Sequence, residues 1–310
     1  MGGVGAMMLL ESGPNWVYFY AAGADTGSFL ARLASYAVDA LDDGHGSRAF
    51  ILSARGKIQV GFECYRLDSD AFIVSCHTTQ AETLIGLLDM YHFGEDFDLQ
   101  PIDLEKAYFV IGAADHPSLA PLDIGEMTDL HYAAKTCRFD ARSYRVVKTG
   151  RYGLPVYMVL PLFDEPDPIL TELKNVGQPD VELRRLEYER VLQGLPSAPN
   201  EFAETYTPLD IGALDGITDG KGCYPGQEVI ERTIALGRPS MKLVPVKAKF
   251  ELKIGQEISH DSRVIGRITS CMSAGADGSI GLAVLKYRSA EQERWMLAGG
   301  ALEKRILKTQ

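Results

Sequence analysis

Apolar residues recur at helical spacing in two stretches of the first hundred positions. The first stretch covers residues 26–41, with Thr26 suited to the N-cap and the turn-forming residues 42–44 after its end. The second follows Thr78 and continues to Tyr91. Apolar residues three and four positions apart lie on one face of a helix. The pattern therefore predicts two amphipathic helices, each with one buried face.

Between these helices the apolar period changes to two. Residues 49–53 form a short apolar run, residues 54–57 have the composition of a tight turn, and residues 58–64 alternate apolar side chains with polar ones or glycine. Alternation of this kind is typical of a half-buried strand. The stretch 49–65 therefore predicts a β-hairpin, and residues 71–76 predict a third strand.

The middle of the chain repeats these elements in a looser form. The apolar pattern predicts strands at residues 107–111, 143–148 and 156–160 and a charged helix at residues 183–193. Residues 161–179 are rich in proline and acidic side chains and predict a surface loop. No repeat of fixed period is present, so a solenoid is excluded. Two similar α+β halves are predicted instead.

The tail of the chain contains short strand-like runs separated by Gly and Asp turns, and no convincing helical pattern. Such spacing is typical of a small β-barrel or sandwich. We expect the boundary before this region at residues 236–240. The predicted strands lie at residues 243–250, 264–269, 280–287 and 302–307.

The composition is that of an ordinary soluble globular protein. Hydrophobic residues make up 46% and charged residues 24% of the 310 residues. This content excludes disorder for most of the chain, and no apolar run reaches the roughly 18 residues of a membrane helix. Lys and Arg number 31 against 42 Asp and Glu, giving a formal net charge of -11. Because an acidic chain binds nucleic acid and anionic lipid poorly, we expect neither a membrane nor a nucleic-acid partner.

The cysteines and histidines show no spacing typical of a metal site or a disulfide framework. The cysteines are scattered, odd in number and without a Cys-x-x-Cys pair, and the histidines form no His-x-x-x-His pair. The first residues have neither the basic start of a secretory signal nor the Arg-rich character of a transit peptide. We therefore expect a reducing compartment, most simply a bacterial-type cytoplasm. The cysteines are Cys64, Cys76, Cys137, Cys223 and Cys271.

Residues 221–228 concentrate reactive side chains in a glycine-rich turn with the sequence Lys-Gly-Cys-Tyr-Pro-Gly-Gln-Glu. Glycine permits positive φ and Pro-Gly marks a tight turn. Such a turn is expected to hold Cys223 and Tyr224 away from the backbone, with Lys221 close enough to favour the thiolate. The alternative is a connecting turn around a buried, inert cysteine.

This segment resembles the signature of the YgfZ family, folate-binding proteins linked to iron–sulfur cluster assembly. The family hallmark reads Lys-Gly-Cys-Tyr-x-Gly-Gln-Glu, and every fixed position is present at residues 221–228. Residues 190–196 and 209–217 also resemble family segments, and the similarity extends over about residues 16–310. Only the signature itself is highly specific.

The resemblance implies a cofactor, partners and site residues. The cofactor is tetrahydrofolate or a folate derivative, and the partners are iron–sulfur assembly or client proteins. Cys223 is implied as the working thiol, in a shared or indirect role, because a cluster needs about four ligands. The residues implied in cofactor binding are Lys221, Gly222, Tyr224, Gly226, Gln227, Glu228, Arg190 and Arg232.

The YgfZ family is in turn similar to the T-protein of the glycine cleavage system, a tetrahydrofolate-dependent aminomethyltransferase. This similarity implies two ferredoxin-like α+β halves that form a folate-binding body over residues 1–238, with the halves at about 16–100 and 101–238. A small C-terminal β-barrel over residues 239–310 follows. The apolar pattern independently favours the same α+β class.

Two carboxylates of the T-protein have no counterpart in this chain. The T-protein has an aspartate just after the first hairpin turn, but residues 56–62 contain none and Glu63 is the nearest carboxylate. Its Gly-Tyr-Thr-Gly-Glu segment grips the pterin through the glutamate, but the matching residues 150–154 contain none. Loss of an acid–base group lowers a rate by about 10²–10⁴. We therefore favour a non-enzymatic accessory role, with a tetrahydrofolate-dependent aminomethyl- or methyltransferase as the alternative.

Cationic residues cluster in sequence around the signature. They suit the glutamate end of folate, or they form a solvated basic surface. We expect tetrahydrofolate to bind in a cavity between the two halves that is lined by signature residues. The cations are Lys221, Arg232, Arg238, Lys242, Lys247 and Lys249.

Overall fold

Two β-sheets and a closed β-barrel form the framework of the protein in a computed structural model. The predicted α+β class with a C-terminal barrel is confirmed. The structure describes residues 8–10, 15–105, 107–111, 120, 122–127, 129–164, 167–171, 178–179, 183–261, 263–297 and 299–307.

The α-helices with described bounds are α1 (Thr26–Leu33), α2 (Ala81–Tyr91), α3 (Leu183–Leu192) and α4 (Gln227–Leu236). Within the described ranges, no helix combines the length and the apolar character needed to cross a membrane. The strands are β1 (Met8–Leu10), β2 (Trp16–Ala22), β3 (Gly46–Leu52), β4 (Ile58–Asp68), β5 (Ala71–His77), β6 (Asp98–Pro101), β7 (Tyr108–Ile111), β8 (Ala133–Phe139), β9 (Arg142–Thr149), β10 (Val156–Pro161), β11 (Gln178–Pro179), β12 (Met241–Ala248), β13 (Glu257–His260), β14 (Arg263–Ser273), β15 (Ser279–Lys286), β16 (Arg294–Leu297) and β17 (Gly300–Lys304).

The first sheet has the strand order β3-β4-β5-β2-β6 and is antiparallel throughout. Its hairpin of β3 and β4 is the one predicted over residues 49–65, extended by a few residues at both ends. Helices α1 and α2 bury Phe29, Leu30 and Leu84 against one face of the sheet. Each such side chain stabilises the fold by about 1.5–3 kcal/mol when it is fully removed from water.

Helix α1 is shorter than the predicted segment 26–41. It ends at Leu33 because Ala34 adopts an extended backbone and forms an antiparallel bridge with Ile51 of β3. Thr26 is the first helical residue and not the N-cap. A 3-10 turn after the bridge buries further apolar residues in the same core, which explains why the apolar spacing continues beyond the helix.

The second sheet has the order β11-β1-β7-β10-β9-β8. Strands β7, β9 and β10 match the predicted strands of the middle region, and α3 matches the predicted charged helix. Strand β8 was not predicted, because its burial does not alternate regularly along the strand. Strand β1 brings the start of the chain into this sheet, where it pairs antiparallel with β7.

The two sheets pack face to face through a shared aromatic core. Trp16, Tyr18 and Tyr65 of the first sheet lie in one cluster with Phe109 and Met158 of the second. Large side chains from both sheets therefore hold the two parts of the body together, and the polar side chains that enter this layer are almost completely buried.

The barrel closes in the order β12-β15-β14-β13-β16-β17. Its interior contains Val246, Ile258, Leu285 and Trp295. Closure removes the sheet edges that would otherwise be free to pair with other chains. The four tail strands predicted from the sequence correspond to β12, β14, β15 and β17, whereas the short strands β13 and β16 were missed.

Candidate functional site

A cleft of about 940 Å³ lies where the two sheets, the segment between α3 and α4, and the barrel meet. We call it the central cleft. Arg48 of β3, Thr149 of β9, Asp215 of the connecting segment, and Lys242 and Tyr287 of the barrel line its walls. This volume lies near the upper end of the range of about 300–1,000 Å³ that is typical of sites for ligands of drug or cofactor size.

Arg48 places a buried cation on the wall of the central cleft. The residue is 5% exposed. Its guanidinium donates to the hydroxyl of Tyr132 at 3.0 Å and to the carboxylate of Asp215 at 3.4 Å. It also lies 5.3 Å from the ring centroid of Phe202. These contacts fix the guanidinium in position, so a ligand that enters the cleft meets a preorganised Arg48–Asp215 ion pair.

Lys148 supplies a second buried cation to the same cleft. Its ammonium donates to the carbonyl of Met127 at 2.8 Å. Burial lowers the pKa of Lys148, because a charged amine loses its hydration there. The side chains of Asp129 and His131 line the cleft as well. The cleft can therefore bind a polar ring system that carries both hydrogen-bond donors and an anionic end.

The signature residue Lys221 is directed toward helix α1 and not toward a cavity. Its ammonium donates to the carbonyls of Ala31, Ala34 and Tyr36 at the end of that helix. It also lies 4.8 Å from the ring centroid of Tyr224. Burial lowers the pKa of Lys221 to about 8. Cations at a helix C-terminus stabilise the exposed carbonyls, so these contacts fasten the signature turn to the first half of the body.

Gly226 allows the signature turn to pack directly on the turn of the β3–β4 hairpin. Its φ is +80°, and a Cβ there would lie 2.5 Å from the carbonyl oxygen of Ser53. Gly222 has neither constraint, because its φ is not positive and a Cβ added there would meet no atom within 4 Å. Gln227 closes the turn by donating to the carbonyl of Lys221 at 3.3 Å. The two glycines of the signature are therefore not equivalent.

Tyr224 and Cys223 point in different directions. Tyr224 is 8% exposed and packs in a core cluster with Phe50 and Ile230, so its side chain extends from the turn into the core and not into solvent. Burial raises the pKa of Tyr224 to about 12. Cys223 is exposed, which excludes the alternative of a buried, inert cysteine.

The central cleft is not lined by the signature. None of residues 221–228 is among its lining residues, so the binding site lined by the signature that the sequence predicts does not coincide with this cleft and stays a prediction. The reason is that Tyr224 and Lys221 are used to pack the turn against the first half. Glu228 and Arg232 are exposed on helix α4, where Glu228 suits the positive N-terminal end of the helix dipole.

Arg190, another implied binding residue, joins helix α3 to the barrel. Its guanidinium donates to Ser270 of β14 at 2.9 Å and forms ion pairs with Glu187 and Glu201. It is 4% exposed and lines a smaller cavity of about 250 Å³, separate from the central cleft. These contacts hold helix α3 against the barrel. A role of Arg190 in cofactor binding stays a prediction.

The other cysteines lack the accessibility of Cys223. Cys64, Cys76 and Cys137 are buried, and Cys271 is partly buried. Burial raises the pKa of Cys64 and Cys76 to about 12 and that of Cys137 to about 11. The part of the chain that the structure describes holds no group of three or more His, Cys, Asp or Glu side chains arranged for a metal ion.

Comparisons with known proteins relate this architecture to transferases. A scan against protein-family models finds no match. The chain is 22% identical over 277 residues to a protein of Arabidopsis thaliana provisionally named a chloroplastic transferase, across 86% of this chain and 63% of that protein. It is 23% identical over 277 residues to an aminomethyltransferase of Corynebacterium aurimucosum, across 86% of this chain and 74% of that enzyme. The chain thus spans less than two thirds of the plant relative's length.

A solved structure decides the fold. The crystal structure of glycine cleavage system aminomethyltransferase T from Bartonella henselae matches with a TM-score of 0.75 at 17% identity, covering 97% of this chain and 85% of that one. The chain has the fold of an aminomethyltransferase. The finer resemblance to the YgfZ family is not tested by these matches and stays a prediction. So does the bacterial-type cytoplasm, since the plant relative is named as chloroplastic.

The aminomethyltransferase fold makes the position of Glu63 informative. Glu63, the carboxylate nearest to the missing T-protein aspartate, is 1% exposed and forms an ion pair with Arg151. It also accepts hydrogen bonds from Tyr65 at 2.5 Å and from Thr149 at 3.1 Å. The guanidinium of Arg151 lies 3.4 Å from the ring centroid of Trp16. Glu63 therefore makes its contacts within the layer between the sheets and does not line the central cleft.

Sequence reasoning missed Arg48, Lys148 and Tyr132 as site residues. Each stands at the edge of a strand or inside one, among side chains that belong to the core. One signal was present: Lys148 directly follows the buried pair Val146 and Val147 in a predicted strand. A charged residue within an apolar run is rarely buried without a specific role.

Proposed function

We propose that the protein is a folate-binding protein and that tetrahydrofolate binds in the central cleft. The observation that carries the proposal is the pair of buried cations, Arg48 and Lys148, on the walls of a cleft of about 940 Å³. The fold, shared with an aminomethyltransferase, adds a second, independent support. Buried cations suit the electronegative oxygens of a pterin and the carboxylates of its glutamate end.

The role that we propose for the folate-bound protein is accessory and not glycine cleavage. An acid–base group for that chemistry must be within hydrogen-bond reach of the reacting atoms. Glu63 is buried behind the cleft wall in its ion pair with Arg151, and residues 56–62 contain no carboxylate. Glu63 therefore does not reach a ligand in the cleft to act as its general acid or base.

Cys223 is the second element of the proposal. It is an exposed thiol on a turn that lies outside the lining of the central cleft. We propose that this thiol acts in iron–sulfur cluster assembly or repair together with client or assembly proteins, as the resemblance of the signature to the YgfZ family implies. A single thiolate shares a cluster with other ligands and does not hold one alone.

A tetrahydrofolate-dependent aminomethyl- or methyltransferase is the second candidate, and specific observations favour it. The curated relatives are named as transferases. Asp129 and Asp215 line the central cleft, and the side chain of Asp215 is 53% exposed. A carboxylate in this position can take the role of the missing aspartate, although it is already paired with Arg48.

Folate binding is tested by titration calorimetry of the full chain with tetrahydrofolate. We expect binding by the unchanged protein and an affinity lower by about tenfold or more in Lys148→Met, because one charge-assisted contact contributes about 1.5–3 kcal/mol. Lys253→Met, which changes an exposed barrel lysine outside the lining of the cleft, is the matched control. Equal affinities in both variants would contradict the placement of the ligand.

The two roles are separated by an assay of aminomethyl transfer with the glycine cleavage partner proteins. The accessory role predicts no transfer above background. Transfer that is abolished by Asp215→Asn, with folding unchanged, would establish the enzyme and remove the accessory role.

A further inference from the structure

The small cavity beside Arg190 lies where helix α3, the first sheet and the barrel meet. It has a volume of about 250 Å³, and none of its described lining residues also lines the central cleft. We call it the Trp16 cavity, because Trp16 of β2 lines it together with His77 of β5, Glu187 of α3 and Ser270 of β14. The volume lies below the range of about 300–1,000 Å³ of sites for drug-sized ligands, so it suits a smaller molecule.

Buried aromatic side chains bring hydrogen-bond donors to the Trp16 cavity. Trp16, His77 and Tyr152 all line it, and each is at most 9% exposed. The indole N–H of Trp16 and the hydroxyl of Tyr152 bind no acceptor among the residues that the structure describes, and neither polar atom is fully enclosed by protein. A buried donor without an acceptor is unfavourable, so these two groups are available to a ligand in the cavity.

The contacts of His77 determine which of its ring nitrogens carries the proton. The backbone N–H of Thr79 donates to Nδ1 at 3.3 Å, so Nδ1 is an acceptor. The neutral ring then has its proton on Nε2, which has no hydrogen-bond partner in the described part of the chain. Burial lowers the pKa of His77 and thereby favours the neutral ring. His77 therefore adds an N–H donor to the cavity without adding a positive charge.

Glu187 supplies an acceptor at the same cavity. Its Oε2 accepts from the guanidinium of Arg190 at 2.9 Å, whereas no described residue donates to its Oε1. Because Arg190 also pairs with Glu201 at 3.5 Å, two carboxylates share one guanidinium and the net charge beside the cavity is negative. Burial is the main influence on the pKa of His77 and of Tyr152, and the charge of Glu187 also acts on both. The free carboxylate oxygen therefore lies near the donors.

We propose that the Trp16 cavity binds a small α-amino acid with a short side chain. The ligand's carboxylate accepts hydrogen bonds from Trp16, His77 and Tyr152, and its ammonium donates to Oε1 of Glu187. Hydrogen bonds to a charged partner are stronger than neutral ones, so both ends of a zwitterion are well recognised by such a set. The inference goes beyond the proposed function and does not depend on it, because it concerns a different cavity.

A simple carboxylate fits the Trp16 cavity less well than an amino acid. The guanidinium of Arg190 is already paired with two carboxylates, so it does not offset the charge of an incoming anion. A simple amine leaves the donors of Trp16, His77 and Tyr152 without an acceptor. Only a ligand that carries both ends satisfies both sides of the cavity.

Trp16 gives the test a direct signal. The chain has two tryptophans, and Trp295 lies in the barrel interior, where its indole N–H donates to the carbonyl of Ser289 at 3.1 Å. The full chain is titrated with glycine, L-alanine and L-serine at millimolar concentration while tryptophan fluorescence and heat are recorded. We expect a saturable change in both signals. Propionate and ethylamine each carry one end of L-alanine and are expected to bind about tenfold more weakly, since each loses charge-assisted hydrogen bonds.

Two variants test the two ends of the ligand. Glu187→Gln removes the charge that meets the ammonium and is expected to weaken L-alanine binding by about tenfold or more. Tyr152→Phe removes one donor to the carboxylate and is expected to weaken it by about fivefold. The controls are Glu189→Gln on the same helix and Tyr91→Phe in α2, which do not line the cavity and are expected to keep the affinity of the unchanged protein.

The proposal is overturned if none of the three amino acids binds, since the donors are then satisfied by ordered water. It is also overturned if propionate or ethylamine binds as tightly as L-alanine, because the site then does not recognise a zwitterion. Unchanged affinity in both Glu187→Gln and Tyr152→Phe would place the amino acid elsewhere and overturns the assignment of the cavity. In each of these cases the proposed function stands, and both variants are expected to bind tetrahydrofolate like the unchanged protein.

Discussion

The signature turn and the central cleft are built in opposite ways. The signature is eight consecutive residues with a distinctive composition, and the contacts of Lys221, Tyr224 and Gln227 are all internal. The central cleft has no distinctive sequence, yet it holds two buried cations and a volume of about 940 Å³. Of the signature's reactive side chains, Cys223 alone combines exposure with thiol chemistry.

This difference shows that the residues of one motif can have two kinds of role, in packing and in chemistry. Lys221 and Gly226 explain how the turn is held against helix α1 and against the β3–β4 hairpin, while Cys223 is the residue that such packing does not explain. We infer that most of the signature serves to present one thiol at a fixed place. The central cleft is assembled separately, from segments that only the fold brings together.

The largest loss of unfolding free energy is expected at the Glu63–Arg151 pair, which lies behind the wall of the central cleft. Arg151→Met leaves the Glu63 carboxylate buried without its cation, which destabilises a protein by about 3–5 kcal/mol. Denaturant unfolding measures the loss. Arg184→Met, which removes an exposed arginine from α3, is the control and is expected to change stability little. Similar unfolding midpoints for the two variants would show that the pair does not hold the sheets together.

A smaller effect is expected from the glycines of the signature, which form a matched pair. Gly226→Ala places a Cβ 2.5 Å from a backbone oxygen at φ +80°, and strain of this kind costs about 1–3 kcal/mol. Gly222→Ala meets no neighbouring atom and is expected to unfold at nearly the same denaturant concentration as the unchanged protein. If both variants lose stability equally, the turn does not pack as described.

Much of the fold was predictable because its elements are local. The period-two alternation of residues 58–64 identifies β4, and the short runs after residue 243 identify most of the barrel. Helix α4 was missed, although Val229, Ile230 and Ile234 stand at helical spacing in its sequence. The cleft was not predictable, since its walls come from segments far apart in sequence that meet only through sheet packing.

Lys221 allows the packing role of the signature to be tested by pH. Its pKa is lowered to about 8 by burial, whereas an unfolded lysine titrates near about 10.4. Between these values the unfolded chain binds a proton that the folded chain does not, so stability rises with pH. The unfolding free energy of the unchanged protein, relative to Lys221→Met, is therefore expected to increase from about pH 8 to about pH 10. A flat or falling difference would mean that the carbonyl contacts of the ammonium offset the loss of its hydration on burial.

The smallest effect on stability, and the sharpest on function, is expected at Cys223. Because the side chain is exposed and is not part of a core cluster, Cys223→Ser is expected to change the free energy of unfolding by less than about 0.5 kcal/mol. Folate affinity is expected to be unchanged, since the residue does not line the central cleft. Serine keeps the size and polarity but lacks the oxidisable sulfur.

The proposed thiol role therefore predicts that Cys223→Ser folds and binds tetrahydrofolate but fails to restore iron–sulfur enzyme activity in cells that lack the protein. Cys137→Ser serves as the control, because that thiol is buried and its pKa is raised to about 11. Native-state alkylation gives an early check, since Cys223 is expected to react first and the buried thiols only on unfolding. Full rescue by Cys223→Ser would leave the folate cleft as the functional centre and reduce the whole signature to packing.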